Sequence, residues 1–192
     1  MTDIATILAE RLRDRADPSA APAMQAYMKS EMPFMGVRRP AMAAVARQAL
    51  REFAPVSNEE YRAHVRALWC QPHREEKYLA IALARGWRRY VSMQNLDLYR
   101  TMIVEGAWWD FVDEIATAIV GRLLLEHRAA MNAVLDRWID DPDVWLRRSA
   151  LLAHERHGTQ TDREKLSKLI DRVARVAGPL GYLVANFWAV SG

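Results

Sequence analysis

The sequence has little cysteine, glycine and proline: among 192 residues there are one Cys, eight Gly and eight Pro. The lone Cys70 excludes an intramolecular disulfide and any zinc site of paired cysteines, so we expect a protein of the reducing cytoplasm. So few turn-forming residues argue against an all-β fold. Apolar runs are too short for a membrane span, and residues 1–16 are too charged for a signal peptide.

Lysine is scarce as well, since 23 of the 27 basic residues are arginine. The planar guanidinium group suits phosphate contacts, although a nucleotide bias in the encoding genome would enrich arginine equally. A net charge of +3 and a pI of about 9.2 are compatible with an anionic partner. Many of the arginines fall in clusters, which could either bind successive phosphates of a nucleic-acid backbone or simply lie on a solvated face. The clusters are Arg38 and Arg39; Arg47 and Arg51; Arg62 and Arg66; Arg85, Arg88 and Arg89.

Apolar residues recur at spacings of three and four along about ten segments, and none has the alternation of a strand. The predicted fold class is therefore all-α. Helix pairs follow one another every 35 to 45 residues or so, which is typical of HEAT-type repeats. We predict a single domain over residues 1–192, a right-handed α-solenoid of HEAT-like repeats with a concave basic face.

Local signals predict where several helices begin. Ser57 with Glu60, and Thr161 with Glu164, form capping-box patterns. Pro72 and Pro142 are predicted in the first turns of two further helices, where proline is tolerated. The segment Glu31–Pro40 is predicted to be a structured loop, because it combines two further prolines and a glycine with apolar side chains.

The segment from Ala107 to Leu123 carries the most informative side chains. On one helix, Trp109 and Asp113 would lie one turn apart at the border of the apolar face, where an indole and a carboxylate can point together into a groove. The alternative is a Trp that packs on the next helix and an exposed Asp. The predicted core face consists of Trp108, Phe111, Val112, Ile115, Ile119 and Leu123.

Two adjacent arginines, Arg147 and Arg148, follow Trp145 in a later helix. Side chains of neighbouring helical residues point about 100° apart, so one arginine can face a neighbouring helix while the other faces solvent. Asp113 is an available carboxylate partner, and such a pair would fix its rotamer and keep it ionised. The alternative is a surface pair of arginines without a fixed partner.

The sequence shows no pattern for a metal or cofactor. Its five histidines include only one close pair, His154 and His157, and no third ligand accompanies them. There is also no phosphate-binding glycine loop, no GxSxG elbow and no Cys/His nucleophile pair. We therefore expect neither a metal nor an organic cofactor.

Several motifs together resemble those of the AlkD-like DNA alkylation repair proteins, which are HEAT-like helical-repeat DNA glycosylases. The resemblance covers about residues 1 to 175. It rests on these motifs: Tyr27-Met28-Lys29, Pro33-Phe34-Met35-Gly36-Val37, Arg74-Glu75 with Tyr78-Leu79-Ala80, Trp108-Trp109-Asp110 with Val112-Asp113, and Trp145-Leu146-Arg147-Arg148.

The resemblance implies a monofunctional, monomeric enzyme that hydrolyses the N-glycosidic bond of positively charged N3- or N7-alkylated purines in double-stranded DNA, without base flipping. By position, Asp113 would supply the catalytic carboxylate and Trp109 would contact the deoxyribose. Arg148 would support Asp113 or bind the nearby phosphate. Tyr27 would be a further groove residue, and Trp188 would stand in for a C-terminal groove Trp.

Beyond residue 175 the sequence departs from the family pattern, because the usual basic residues do not follow Trp188 and the chain stops at Gly192. We expect a helical cap to be missing there. Two alternatives to the enzyme therefore remain: a non-catalytic helical-repeat module that binds nucleic acid or protein, and a remnant with a damaged C-terminal end that does not fold stably.

Overall fold

A computed structural model describes residues 3–175 of the chain. The chain divides into two compact units, Met1–Asn95 and Leu96–Gly192. The first contains α1 (Ile4–Arg13), α2 (Ala21–Met28), α3 (Arg39–Glu52), α4 (Asn58–Trp69) and α5 (Arg74–Gly86), followed by short 3₁₀ turns at Arg88–Tyr90 and Met93–Asn95. In the described range no helix has the length and apolarity needed to cross a membrane.

The second unit begins with α6 (Leu96–Gly106) and α7 (Trp109–Glu114). A π-helical segment (Ile115–Val120) then leads directly into α8 (Gly121–Glu126). After it come α9 (Arg128–Trp138), α10 (Val144–Leu152), a 3₁₀ segment (Glu155–Gln160) and α11 (Arg163–Arg175). The described residues form helices and connecting turns without a strand, so the prediction of an all-helical fold is confirmed.

The helix starts follow the predicted signals in part. Ser57 caps α4 as predicted, because its side-chain oxygen accepts a hydrogen bond from the Glu60 backbone N–H at 3.1 Å. Glu60 reaches back one residue further than a capping box requires, to the N–H of Val56 at 2.7 Å. This reciprocal pair of bonds satisfies N–H groups at the amino end of α4.

Other predicted boundaries were wrong by one or two residues. Asp162, not Thr161, accepts from the Lys165 N–H in the first turn of α11, at 2.9 Å. Pro142 lies outside its helix, because Asp143 accepts from two backbone N–H groups and so caps α10. Pro72 likewise precedes α5, and Pro40 lies inside α3 rather than in the preceding loop. In α10 and α11 an aspartate that accepts from the first turn marks the start, whereas α3 starts with Pro40 in its first turn and no side-chain cap.

In the first unit, a buried carboxylate holds the loop between α2 and α3. Glu75, fully buried in the first turn of α5, accepts from the backbone N–H of Met35 at 3.0 Å, of Gly36 at 2.8 Å and of Val37 at 3.0 Å. Its neighbour Arg74, also buried, donates to the Ser30 hydroxyl at 2.9 Å. These bonds tie the apolar loop to α5 and satisfy N–H groups that the fold removes from water.

Gly36 is required where the loop passes Asp17. Its φ is +87°, and a Cβ there would lie 2.0 Å from the Asp17 carbonyl oxygen. Gly36→Ala is expected to lower the free energy of unfolding by about 4 kcal/mol or more, because strain and a backbone clash add. Gly158→Ala is the matched control, since its φ is +53° but a Cβ would meet nothing within 4 Å. Urea unfolding checks the pair, and equal losses would contradict the clash.

In the second unit, His154 and His157 are both buried, with ring centroids 5.9 Å apart. Burial, helped by repulsion from His157, lowers the pKa of His154 from about 6.5 to about 4. Burial also lowers the pKa of His157. Between about pH 6.5 and pH 4 the imidazole of His154 is protonated in the unfolded chain but neutral in the folded chain. The free energy of unfolding therefore has its full value above about pH 6.5 and declines as the pH falls toward about 4.

We therefore expect the protein to lose up to about 3 kcal/mol of unfolding free energy between roughly pH 7.5 and pH 4.5. A His154→Leu variant, which cannot take up the proton at that position, is expected to lose distinctly less over the same interval. Urea titrations at a series of pH values measure both. The same pH dependence in the two proteins would contradict the assignment to His154.

Candidate active site

The short helix α7 begins with an unusual backbone turn. Ala107, between α6 and α7, has a φ of 39°, in the left-handed region that non-glycine residues rarely adopt. Trp108 is extended and occupies the N-cap position without a capping hydrogen bond from its side chain. Strained residues of this kind cluster at functional sites, where surrounding structure holds them. Here the turn makes Trp109 the first residue of the helix.

Trp109 and Asp113 lie one turn apart on α7, which places them on the same side of the helix. Trp109 is 45% exposed, which is unusual for so large an apolar side chain. The Asp113 side chain is 30% exposed. The indole is therefore neither buried in the core nor far from the carboxylate, and both are open to a ligand.

Arg148 on α10 holds Asp113 through two parallel hydrogen bonds. Nε of Arg148 donates to Oδ1 of Asp113 at 2.6 Å, and Nη2 donates to Oδ2 at 2.7 Å. The Arg148 side chain is 20% exposed, so the pair is partly shielded from water. A bidentate guanidinium–carboxylate pair fixes the plane and rotamer of the acid. Each oxygen keeps a lone pair for a further partner.

The local structure of α10 explains why the two adjacent arginines separate. Asp143 caps the helix by accepting from the N–H groups of Trp145 at 2.8 Å and Leu146 at 3.1 Å. Arg147 turns back and donates to the Asp141 carbonyl oxygen at 2.6 Å. Arg148, about 100° further round the helix, faces α7. Of the two alternatives for this pair, the fixed carboxylate partner is the one found.

Tyr27, Trp188 and the arginine clusters were also predicted to contribute. Tyr27 is on α2 in the first unit and is 79% exposed. Trp188 lies outside the described residues. Most of the clustered arginines, all in the first unit, are exposed, but Arg62 is half-buried and donates to Gln94 and Asn95. Arg62 therefore serves a structural role in these contacts.

The predicted core face also needs correction. We expected one continuous α-helix through residue 123, but the π-helical segment interrupts it after Glu114. Trp108 is half-buried and precedes the helix, whereas the five other predicted core residues are fully buried: Phe111, Val112, Ile115, Ile119 and Leu123. The apolar spacing did not reveal the π turn. Within residues 3–175, no group of three or more His, Cys, Asp or Glu side chains is placed to hold a metal.

Comparison with known proteins identifies the family of the chain. A family model described as "DNA alkylation repair enzyme" matches residues 8–176, so the chain belongs to that family. A solved structure described as "Predicted DNA alkylation repair enzyme from Enterococcus faecalis" is similar, with 25% sequence identity and a TM-score of 0.77. The match covers 86% of this chain and 78% of that one. No curated protein matches the chain.

Proposed function

We propose that this protein is a DNA glycosylase that hydrolyses the N-glycosidic bond of positively charged N3- or N7-alkylated purines in duplex DNA. The observation that carries the proposal is the partly exposed Asp113, held by Arg148, one helical turn from the exposed Trp109. Membership of the DNA alkylation repair enzyme family supports the choice of DNA as the partner. In this proposal the enzyme acts as a monomer in the cytoplasm.

The reaction needs only modest help from the protein. When the bond from C1′ to a cationic purine breaks, the electron pair leaves with the base, which becomes neutral and needs no protonation. The sugar is left with oxocarbenium character, and water then forms the new C1′–O bond and gives up a proton. One carboxylate can stabilise the positive sugar and orient that water.

Three site residues fit these roles by chemistry. Asp113 supplies the negative charge, and Arg148 fixes its orientation before the substrate arrives. The face of the Trp109 indole attracts positive charge developing on the sugar. Because these groups act on the sugar, the damaged base can stay stacked in the duplex, as the family resemblance implies.

The lysines of the second unit support a monofunctional mechanism. A glycosylase that also cleaves the strand through a Schiff base needs an amine at the site. Lys165 and Lys168 both lie on α11, where they pair with Asp136 and Glu164 respectively, at 2.6 Å in each case. Both amines are thus held as cations by carboxylates of their own, and water is the nucleophile in this proposal.

The proposal is tested with duplex DNA that carries a single 7-methylguanine. We expect release of free 7-methylguanine and one abasic site per base released, without strand cleavage. Duplexes with neutral O6-methylguanine or undamaged guanine should release nothing, because those bases are poor leaving groups. DNA binding without base release would favour the non-catalytic binding module. A thermal melt without a cooperative transition would favour the unstable remnant.

A further inference from the structure

The chain that follows the candidate catalytic acid is wound as a π-helix rather than an α-helix. The segment Ile115–Val120 begins two residues after Asp113, and all of its side chains except that of Ala118 are buried. A π-helix bonds residue i to i+5, so it holds more residues per turn than an α-helix, and π turns occur frequently at functional sites. A register change of one residue rotates the side chains beyond it by about 100°.

The π-helical segment ends at a backbone contact. A Cβ on Gly121 would lie 2.7 Å from the carbonyl oxygen of Ala153, the C-cap residue that follows α10. Only glycine allows α8 to start so close to α10. The position of Gly121 is therefore fixed by the same helix that carries Arg148.

A buried imidazole completes this contact. Nε2 of His157 lies 2.9 Å from the Gly121 carbonyl oxygen. Because a carbonyl oxygen only accepts, Nε2 carries the proton and donates. His157 is 6% exposed, so losing this bond would leave a polar group unpaired in the core.

The Asp113–Arg148 pair is a further contact, between α7 and α10. One end of the connecting chain is held at Asp113 and the other at Gly121, and the whole π-helical segment lies between. If Ile115–Val120 were wound as an α-helix, the residues beyond it would be rotated about the helix axis. Asp113 and Gly121 could then not both face α10, so either the Asp113–Arg148 pair or the Gly121–Ala153 contact would break.

We propose that His157, by fixing Gly121, holds the π-helical segment in register and thereby positions Asp113 for its bidentate contact with Arg148. His157 is then a positioning residue and not a catalytic one, since it touches only the Gly121 backbone in this role. The catalytic consequence rests on the proposed glycosylase function. The structural part, a segment held in register by one imidazole, can be tested without DNA.

The test compares three substitution variants and one deletion variant of the full chain. His157→Leu removes the donor, His157→Gln keeps an N–H donor, and His154→Leu alters a buried neighbour whose ring nitrogens have no hydrogen-bond partner among the described residues. Two measurements are made: amide hydrogen exchange of peptides covering residues 109–121, and single-turnover release of 7-methylguanine with DNA affinity measured separately. Exchange reports local opening of the segment directly.

We expect His157→Leu to expose residues 115–121 to exchange and to slow base release by about 10- to 100-fold, while DNA affinity changes by less than about threefold. His157→Gln should restore most of both. His154→Leu should leave the exchange of this segment and the rate of release near wild type. Deleting Ala118 from the π-helical segment should slow release at least as much as His157→Leu.

The results separate the positioning role from simple packing. If His157→Leu and His154→Leu had equal effects, or if His157→Gln restored nothing, the role would be packing alone and the proposal would be overturned. A folded deletion variant with wild-type activity would overturn it too. If the wild type releases no base, the proposed glycosylase function is wrong, and the hydrogen-exchange data alone test the role of His157. Unchanged protection of residues 115–121 in His157→Leu would then show that His157 does not hold the π-helical segment in register.

Discussion

Asp113→Asn is expected to slow release of 7-methylguanine by about 100- to 1,000-fold while leaving DNA affinity within a factor of about three. Asparagine has nearly the same shape, so α7 should keep its conformation. It lacks the negative charge that would stabilise the sugar cation, and its amide nitrogen cannot accept from Arg148. Single-turnover kinetics with a duplex containing one lesion measure the rate, and fluorescence anisotropy measures binding.

Glu114→Gln is the matched control for this experiment. Glu114 is the next residue on α7 and forms its own ion pair with Arg156 at 2.9 Å. The control therefore removes one carboxylate charge and breaks one guanidinium pair on the same helix, but away from the Trp109 side. Its excision rate should stay within about threefold of wild type. Similar losses in both variants would mean that charge on α7 in general, and not Asp113, supports the reaction.

Glu75→Ala is expected to lower the free energy of unfolding by about 3 to 5 kcal/mol. The substitution leaves three buried backbone N–H groups without their acceptor and removes a fully buried side chain. Glu75→Gln should lose less, because its amide oxygen can still accept from Gly36 and Val37. Urea unfolding gives the energies, and limited proteolysis reports on the loop between α2 and α3.

Glu59→Ala provides the comparison for the Glu75 variants. Glu59 also lies in the first turn of a helix, α4, but it is exposed. Both residues interact favourably with the helix dipole, so the control isolates the buried hydrogen bonds. We expect Glu59→Ala to change stability by about 0.5 kcal/mol or less. If the Glu75→Ala loss were equally small, the carboxylate would not be what holds the loop.

The sequence was sufficient to predict features that depend on local spacing. Helical periodicity indicated the fold class, and a separation of four residues brought Trp109 and Asp113 to one side of a helix. The guanidinium group of Arg148 needed a carboxylate partner, and Asp113 was the acid predicted for it. The relation of Trp109 to Asp113 follows from short-range geometry, whereas Arg148 and Asp113 lie 35 residues apart and were paired on opposite charge alone.

Two other features that depend on distant parts of the chain were missed. The buried role of Glu75 arises because a loop about forty residues earlier folds over the first turn of α5, and nothing near Glu75 in the sequence signals it. The π turn was missed because Ile115 and Ile119 have a spacing that suits an α-helix equally well. Its register depends on the approach of Gly121 to Ala153, which is a tertiary contact.

The pairing of Asp113 with Arg148 has a consequence for how the site meets a polyanion. A bare carboxylate would repel the phosphates that flank a damaged nucleotide, whereas the ion pair carries no net charge. The acid can therefore come close to the strand without an electrostatic barrier of its own. Raising the ionic strength should then weaken binding of the DNA duplex but leave the rate of N-glycosidic bond cleavage in the bound complex nearly constant.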